Sequence, residues 1–250
     1  MWPESWPPSA ACAERMNKMA TAGGHDGIGG LFDSISGTYD LLNHGLSFNI
    51  DKRWRRKAVR MLAPCGELLD VAVGTGDLAF EIIRQGKAEH VTGADLSVEM
   101  MRIGREKARA RNMSERVSFE EASALSLPYA DGRFDAVTCA FGVRNFSDRE
   151  AGLKEMRRVL RLGGQLLVLE FSHPSVPLFR GLYNMYFNHL LPFVGGLVSG
   201  NSAAYRYLNR SVREFPEGEA FLELLRSTGF VRTEQRRLSF GIVTIYMATK

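Results

Sequence analysis

The sequence predicts an α/β protein built on an open, doubly wound sheet, mostly parallel and ending in an antiparallel hairpin. Three observations predict it. Short apolar runs alternate with amphipathic helical patterns between residues 68 and 171. A glycine turn, Gly74-Thr75-Gly76, joins the first run to its helix. The run Gln165 to Phe171 is almost continuously apolar, as expected of a strand covered by helices on both faces.

Each element has a local reason. Phe32 to Leu62 is amphipathic at helical spacing and ends before Pro64, giving an N-terminal helical cover over residues 31–62. Leu68 to Val73 reads as the first strand, and Asp77 to Gln85 as a helix closed by Gly86. His90 to Asp95 is a second strand, followed by a helix that Ser97 opens. Val117 to Glu121 and Phe134 to Phe141 are the third and fourth. Ser147-Asp148-Arg149-Glu150 carries a reciprocal cap signature, with the Ser hydroxyl accepting an early N–H. The helix it opens runs to about Arg161 and stops at Gly163-Gly164. Residues 172–215, rich in aromatics such as Phe179, Tyr183, Tyr186 and Phe193, replace a short crossover with a helical insertion on the substrate side. A helix from Pro216 to Thr228 precedes two alternating strands, 230–237 and 240–248. Residues 1–30 are rich in Pro and Gly without periodicity and read as a flexible leader; Glu4 stands where a signal peptide carries positive charge.

Composition narrows the function classes. The 250 residues are 45% hydrophobic and 24% charged, as in ordinary globular proteins. Thirty-two Lys and Arg against 28 Asp and Glu leave a net charge of +4, too small to imply a nucleic-acid partner. Cys12, Cys65 and Cys139 are scattered, fitting neither a disulfide framework nor a zinc site; no metal is expected and a reducing, cytoplasmic compartment is. The most apolar stretch, Leu182 to Val198, is broken by Asn184, Asn188, His189 and Pro192, short of the ~18 apolar residues a membrane span needs.

The chemistry-bearing signal is the turn Asp70-Val71-Ala72-Val73-Gly74-Thr75-Gly76-Asp77. Gly74 and Gly76 permit a tight turn and close backbone approach, and the helix that follows turns its first N–H groups toward a ligand. Asp95 lies 19 residues beyond Gly76, where a carboxylate can accept both hydroxyls of a ribose. A dinucleotide site prefers a third glycine where Ala79 stands, and no Lys-Ser/Thr pair follows for a triphosphate. A carboxylate at Asp70 instead suits the cationic, amino-acid end of S-adenosylmethionine. The loop 122–128 is placed to meet the adenine, with Ser123 either a ligand partner or an ordinary turn serine.

Further strings add specificity: Phe32-Asp33-Ser34-Ile35-Ser36-Gly37-Thr38-Tyr39-Asp40, Phe141-Gly142-Val143-Arg144-Asn145-Phe146, Leu167-Val168-Leu169-Glu170-Phe171 and Tyr205-Arg206-Tyr207-Leu208-Asn209-Arg210-Ser211. With the glycine turn, they resemble the ubiquinone/menaquinone biosynthesis C-methyltransferase family over residues 31–249, within a methyltransferase domain of 31–250. The resemblance implies a Rossmann-like fold and methylation of a ring carbon on a prenylated quinol. Demethylmenaquinol is the minimal activity; a polyprenyl-methoxybenzoquinol or another small molecule is the alternative. Carried over by position, Thr75 and Asp95 hold the cofactor and Ser123-Ala124 flank the adenine. Ser123 replaces the usual Asp or Asn, and Ala140 stands where some relatives have Ser, so only its main chain contributes.

A quinol carbon becomes nucleophilic when its neighbouring hydroxyl ionises. Arg144, a permanent cation directly after the fourth strand, suits that oxyanion, and Asn145 can orient it. Guanidinium does not readily give up a proton, so the base is sought among Asp40, His173, Tyr205 and Tyr207 or a water they hold. Ordinary readings stand beside these: a surface ion pair for Arg144, a solvated helix-face carboxylate for Asp40, a loop residue for His173, packing for the tyrosines. The cluster Lys52-Arg53-Trp54-Arg55-Arg56-Lys57 reads first as a solvated face with Trp54 buried, and second as peripheral contact with anionic lipid at the inner face of a membrane. RNA binding lacks an aromatic-interleaved signature.

Overall fold

A computed structural model describes residues 49–174 and 202–250, the latter without side chains over 202–206. The leader, Asp40 and most of the 172–215 insertion lie outside the described residues. Elements in chain order are α1 (Ile50–Met61), β1 (Cys65–Val71), α2 (Asp77–Arg84), β2 (Ala88–Asp95), α3 (Val98–Ala110), β3 (Val117–Glu121) and β4 (Phe134–Ala140). After a 3₁₀ turn at Val143–Asn145 come α4 (Arg149–Val159), β5 (Leu160–Phe171), α5 (Ser202–Arg213), α6 (Glu219–Ser227), β6 (Val231–Leu238) and β7 (Val243–Thr249).

The seven strands are ordered β3-β2-β1-β4-β5-β7-β6. The first five are parallel; β7 pairs antiparallel with both β5 and β6. The mostly parallel sheet with its antiparallel ending is thus as expected. Strand order reverses between β1 and β4, and such a switch point opens a crevice at the carboxyl ends of the strands.

Alternation along the strands builds two cores, one on each face. Leu68, Leu167, Leu169, Val243 and Ile245 face α1, α2 and α3, packing with Trp54, Ala58, Leu78, Ile82 and Met101. Leu69, Leu166, Val168 and Tyr246 face α4 and α6, packing with Leu153, Met156, Phe221 and Leu225. The edge strand β6 exposes Arg232, Glu234, Arg236 and Arg237, charges that discourage pairing with another chain.

Three local expectations are corrected. The helix before Pro64 starts at Ile50, where Asn49 takes a left-handed conformation (φ 58°), and residues 32–48 of the expected helical cover lie outside the described residues. The cap of α4 is Asp148, whose carboxylate accepts the Ala151 N–H at 2.9 Å, not Ser147. The glycine pair does not end that helix. β5 already begins at Leu160, and Gly163 (φ 75°) and Gly164 sit inside it, where β4–β5 register shifts. A Cβ on Gly164 would lie 2.9 Å from the Arg161 and Asp135 carbonyl oxygens, so glycine serves close strand approach there. Ser97 caps α3 as expected, accepting from Met100 N–H at 3.2 Å.

Candidate active site

The turn after β1 is held in a rare conformation. Ala72 (φ 55°), Gly74 (φ 55°) and Gly76 (φ 84°) all lie in the left-handed region. A Cβ on Gly74 would meet nothing within 4 Å, so the turn is open on that side; one on Gly76 would strike Phe80 at 2.9 Å. Asp95 organises the turn from β2. Its Oδ2 accepts the Gly74 N–H at 2.7 Å and its Oδ1 the Ser97 N–H at 2.9 Å.

Lys107, on α3, was not singled out from the sequence. Its ammonium reaches Thr75 Oγ1 at 2.9 Å and Asp77 Oδ1 at 2.8 Å. The Thr75 side chain is therefore part of the turn's anchorage to α3. Only the facing positions of α2 and α3 bring Lys107 there, thirty-two residues from Thr75.

Asp70 and Thr138 are register partners across β1 and β4. The Thr138 hydroxyl donates to Asp70 Oδ1 at 2.6 Å. Burial pushes the Asp70 carboxyl up to about 7, with Asp95 adding to the rise while Thr138 and Arg55 oppose it. An acid in this state welcomes a cationic partner.

On the other side of the crevice, Ala140 ends β4 half-buried, and Phe141 follows in a left-handed conformation (φ 59°). A Cβ on Gly142 would lie 2.6 Å from Ala72 Cβ. That contact sets the β4 loop directly against the glycine turn. Arg144, in the 3₁₀ turn, is buried and paired with the fully buried Glu170 of β5, Nη1 to Oε2 at 3.1 Å. Nη1 also donates to the Phe141 carbonyl, and the Arg144 backbone N–H donates to Glu170 Oε1 at 3.2 Å. The Arg144 Nε is buried without a hydrogen-bond partner among the described residues. Arg144 is therefore neither a surface ion pair nor an uncompensated cation. The sequence signal for its partner was Glu170 itself, the one charge in the apolar run Gln165 to Phe171.

Asn145 Oδ1 accepts from the Tyr207 hydroxyl at 3.3 Å. Burial raises the Tyr207 phenol above its usual value, against the charges of Arg144, Arg210 and Arg149. It enters the site as a donor rather than a base. His173 is tied to Glu217, through its backbone N–H at 2.6 Å and Nδ1 at 3.2 Å, which favours its ordinary reading as a loop anchor. Asp40 lies outside the described residues; for Tyr205 the backbone alone, in α5, is described. Ser123 Oγ accepts the Leu125 N–H at 3.2 Å, capping the turn after β3, while Ala124 beside it is half-buried. Ala122 N–H bonds the Asp95 carbonyl at 3.0 Å, so this loop borders the Asp95 end of the crevice.

An apolar wall completes the crevice. Phe141 stacks near Phe171 with centroids 4.6 Å apart, and Trp54 of α1 meets them at 6.4 and 6.3 Å. Trp54 Nε1 donates to Ser239 Oγ at 2.8 Å, tying α1 to the β6–β7 turn. Of the basic run 52–57, Lys52, Arg53, Arg56 and Lys57 are exposed and Trp54 is buried, as expected; Arg55 departs and turns inward over the Phe141 ring at 5.5 Å. The arrangement combines a carboxylate held against the glycine turn, a buried acid, and an aromatic wall beside a buried Arg–Glu pair.

Comparison with known proteins agrees. Residues 19–250 match the model of the ubiE/COQ5 methyltransferase family. A demethylmenaquinone methyltransferase of Thermus thermophilus is 48% identical over 224 residues, spanning 88% of this chain and 100% of the relative. A ubiquinone/menaquinone biosynthesis C-methyltransferase UbiE of Geotalea uraniireducens is 46% identical, spanning 88% and 94%. Among solved structures, a SAM-dependent methyltransferase of Thermotoga maritima superposes with a TM-score of 0.65 at 20% identity, covering 88% of this chain and 98% of that one. At that identity the likeness speaks for the fold.

Proposed function

The chain belongs to the ubiE/COQ5 methyltransferase family, and from that premise we propose that it methylates a ring carbon of a polyprenylated quinol with S-adenosylmethionine. Demethylmenaquinol is the first substrate of this reading, after the name its Thermus relative carries; the methoxybenzoquinol of ubiquinone formation is the second. The observation that carries the reading is the close approach of Gly142 to Ala72, which joins a nucleoside clasp to an acceptor wall in one crevice.

S-adenosylmethionine, when bound, supplies an electrophilic methyl group on a sulfonium. The donor set fits it: Asp95 for the ribose hydroxyls, Asp70 for the ammonium, and the open side of Gly74 for close approach. The Ser123-Ala124 loop would flank the adenine. Phe141, Phe171 and Trp54 would pack the acceptor ring and exclude water. Arg144 would favour ionisation of the ring hydroxyl, but with Glu170 neutralising much of its charge it acts mainly through directed N–H groups. Asn145, steadied by Tyr207, would orient the same oxygen. Proximity and orientation then carry most of the rate, since in-line transfer needs the reacting atoms ~3–3.5 Å apart.

The exposed face of α1, with Lys52, Arg53, Arg56, Lys57 and Arg60, would rest on anionic lipid, where such a substrate resides. No helix among the described residues is long and apolar enough to cross a membrane. The test is mass spectrometry of quinones from a methylation-deficient host expressing this chain. Conversion of demethylmenaquinone to menaquinone is expected. Persistence of the demethylated quinone, with the protein folded and present, would overturn the proposal.

A further inference from the structure

An ionised ring oxygen on the acceptor needs a cation that is not already neutralised. Arg144 does not meet that need alone, because the fully buried Glu170 pairs with it at 3.1 Å and returns the local charge to zero. Bringing an oxyanion against a neutral buried pair is costly, since a buried charge requires a counter-charge. The net positive charge has to come from a neighbour.

Two further guanidinium groups stand around the same spot. The hydrogen bond from the Tyr207 hydroxyl to Asn145 Oδ1 marks it, and the charges of Arg144, Arg210 and Arg149 all act on that hydroxyl. Glu214 opposes them most weakly. Arg210 is exposed and lies over the Tyr207 ring, 5.8 Å from its centroid, where water and salt screen its charge. Arg149 is different. It is half-buried, and no carboxylate among the described residues pairs with it. The neighbouring carboxylates of Asp148 and Glu150 are exposed and turned to the Ala151 N–H and to Lys154. Arg149 also stands in the first turn of α4, where the helix dipole disfavours a cation. Its Nη2 donates to the Arg144 carbonyl oxygen at 3.3 Å, and its Nε is buried with no hydrogen-bond partner. The Arg144 Nε is in the same state. Two adjoining arginines thus each hold a buried N–H without an acceptor, a condition that folded proteins rarely leave unmet.

We propose that Arg149 is a further binding residue for the ionised ring oxygen of the acceptor, supplying the net charge beside which Arg144 and Asn145 set direction. The inference rests on the acceptor reading above. The Arg144–Glu170 pair fixes the 3₁₀ turn, and Arg149 supplies the field that an oxyanion feels. A ring with a neutral ether in place of that oxygen gains nothing from Arg149, so the residue also selects for an acceptor that can ionise.

Binding titrations with two ring compounds, in the presence of S-adenosylhomocysteine, test it without turnover. One is 4-nitro-1-naphthol, whose hydroxyl is ionised at neutral pH; the other is its methyl ether, which cannot ionise. The wild-type protein is expected to bind the naphtholate roughly tenfold more tightly than the ether. In Arg149→Met that preference should fall to within about twofold, with affinity for the ether unchanged. Arg149→Gln, which keeps an N–H donor without the charge, should lose it equally and serves if the Met variant does not fold. A preference that survives in a folded variant overturns the assignment. So does a loss shared equally by both ligands, which would mark Arg149 as structural. Equal binding of the two by the wild type overturns it as well and leaves the acceptor reading intact. A folded wild-type protein that binds neither ring overturns both.

Discussion

Arg144 and Glu170 form an ion pair sealed between the β4 loop and β5, with Glu170 accepting from both the guanidinium and the backbone N–H of the same arginine. A buried pair of this kind adds little net stability over apolar packing, yet breaking it leaves one charge stranded. Glu170→Gln is therefore expected to lower unfolding stability by ~3–5 kcal/mol in urea titrations. Replacing both residues with Met should recover most of that loss, while methyl transfer stays absent. Recovery of turnover in the double variant would show that the pair is packing alone.

Asp70 makes stability depend on pH. In the folded, ligand-free protein its carboxyl keeps a proton up to about 7, whereas an ordinary Asp releases it near 3.8. Between those values the folded state binds the proton more tightly, so through this group stability falls as pH rises and then levels off. Asp70→Asn should remove that slope. Denaturation across the window is expected to show the variant gaining on the wild type up to about pH 7, with weaker binding of S-adenosylhomocysteine throughout.

Gly142 holds the two halves of the crevice together. A Cβ there would lie 2.6 Å from Ala72 Cβ and 2.7 Å from Cys139 Sγ, both in buried or half-buried surroundings. Gly142→Ala is expected to cost about 1–3 kcal/mol of stability. It should also weaken nucleoside binding, since Ala72 begins the turn that carries Gly74. Calorimetry and thermal melting on the same sample would separate the two effects.

Tyr207 supports Asn145 from α5 through a 3.3 Å hydrogen bond, with its phenol kept protonated by burial. Tyr207→Phe should lower kcat by roughly tenfold, the equivalent of one net hydrogen bond. The KM for S-adenosylmethionine should stay unchanged. A shift of the kcat pH profile in wild type that vanishes in the variant would instead mark the phenol as a titrating base.

Much of this was legible along the chain because its causes are local. Alternating apolar runs placed the strands within a few residues, and the spacing from Gly76 to Asp95 singled out the acid that the fold brings against the glycine turn. Even the misplaced cap at Ser147 erred by one position, since Ser and Asp compete for the same N–H groups. The Gly163-Gly164 pair shows where local logic fails. Glycines end helices and also allow strands to approach closely, and only the packing of β5 against β4 distinguishes the two.

The sequence alone determined the layered α/β order, the glycine turn and the acid at the end of the next strand, because these lie within consecutive strand–helix–strand units. Tertiary structure decided which charges meet: Glu170 against Arg144, Lys107 against Thr75, and Arg55 inward while its basic neighbours face water. The first follows from the β4 loop folding against β5 and the others from how each helix is rotated onto the sheet, a phase that α1 takes from burying Trp54 and Ala58 together with Leu62. Such burial is summed over the whole core, and so no single stretch of chain records it.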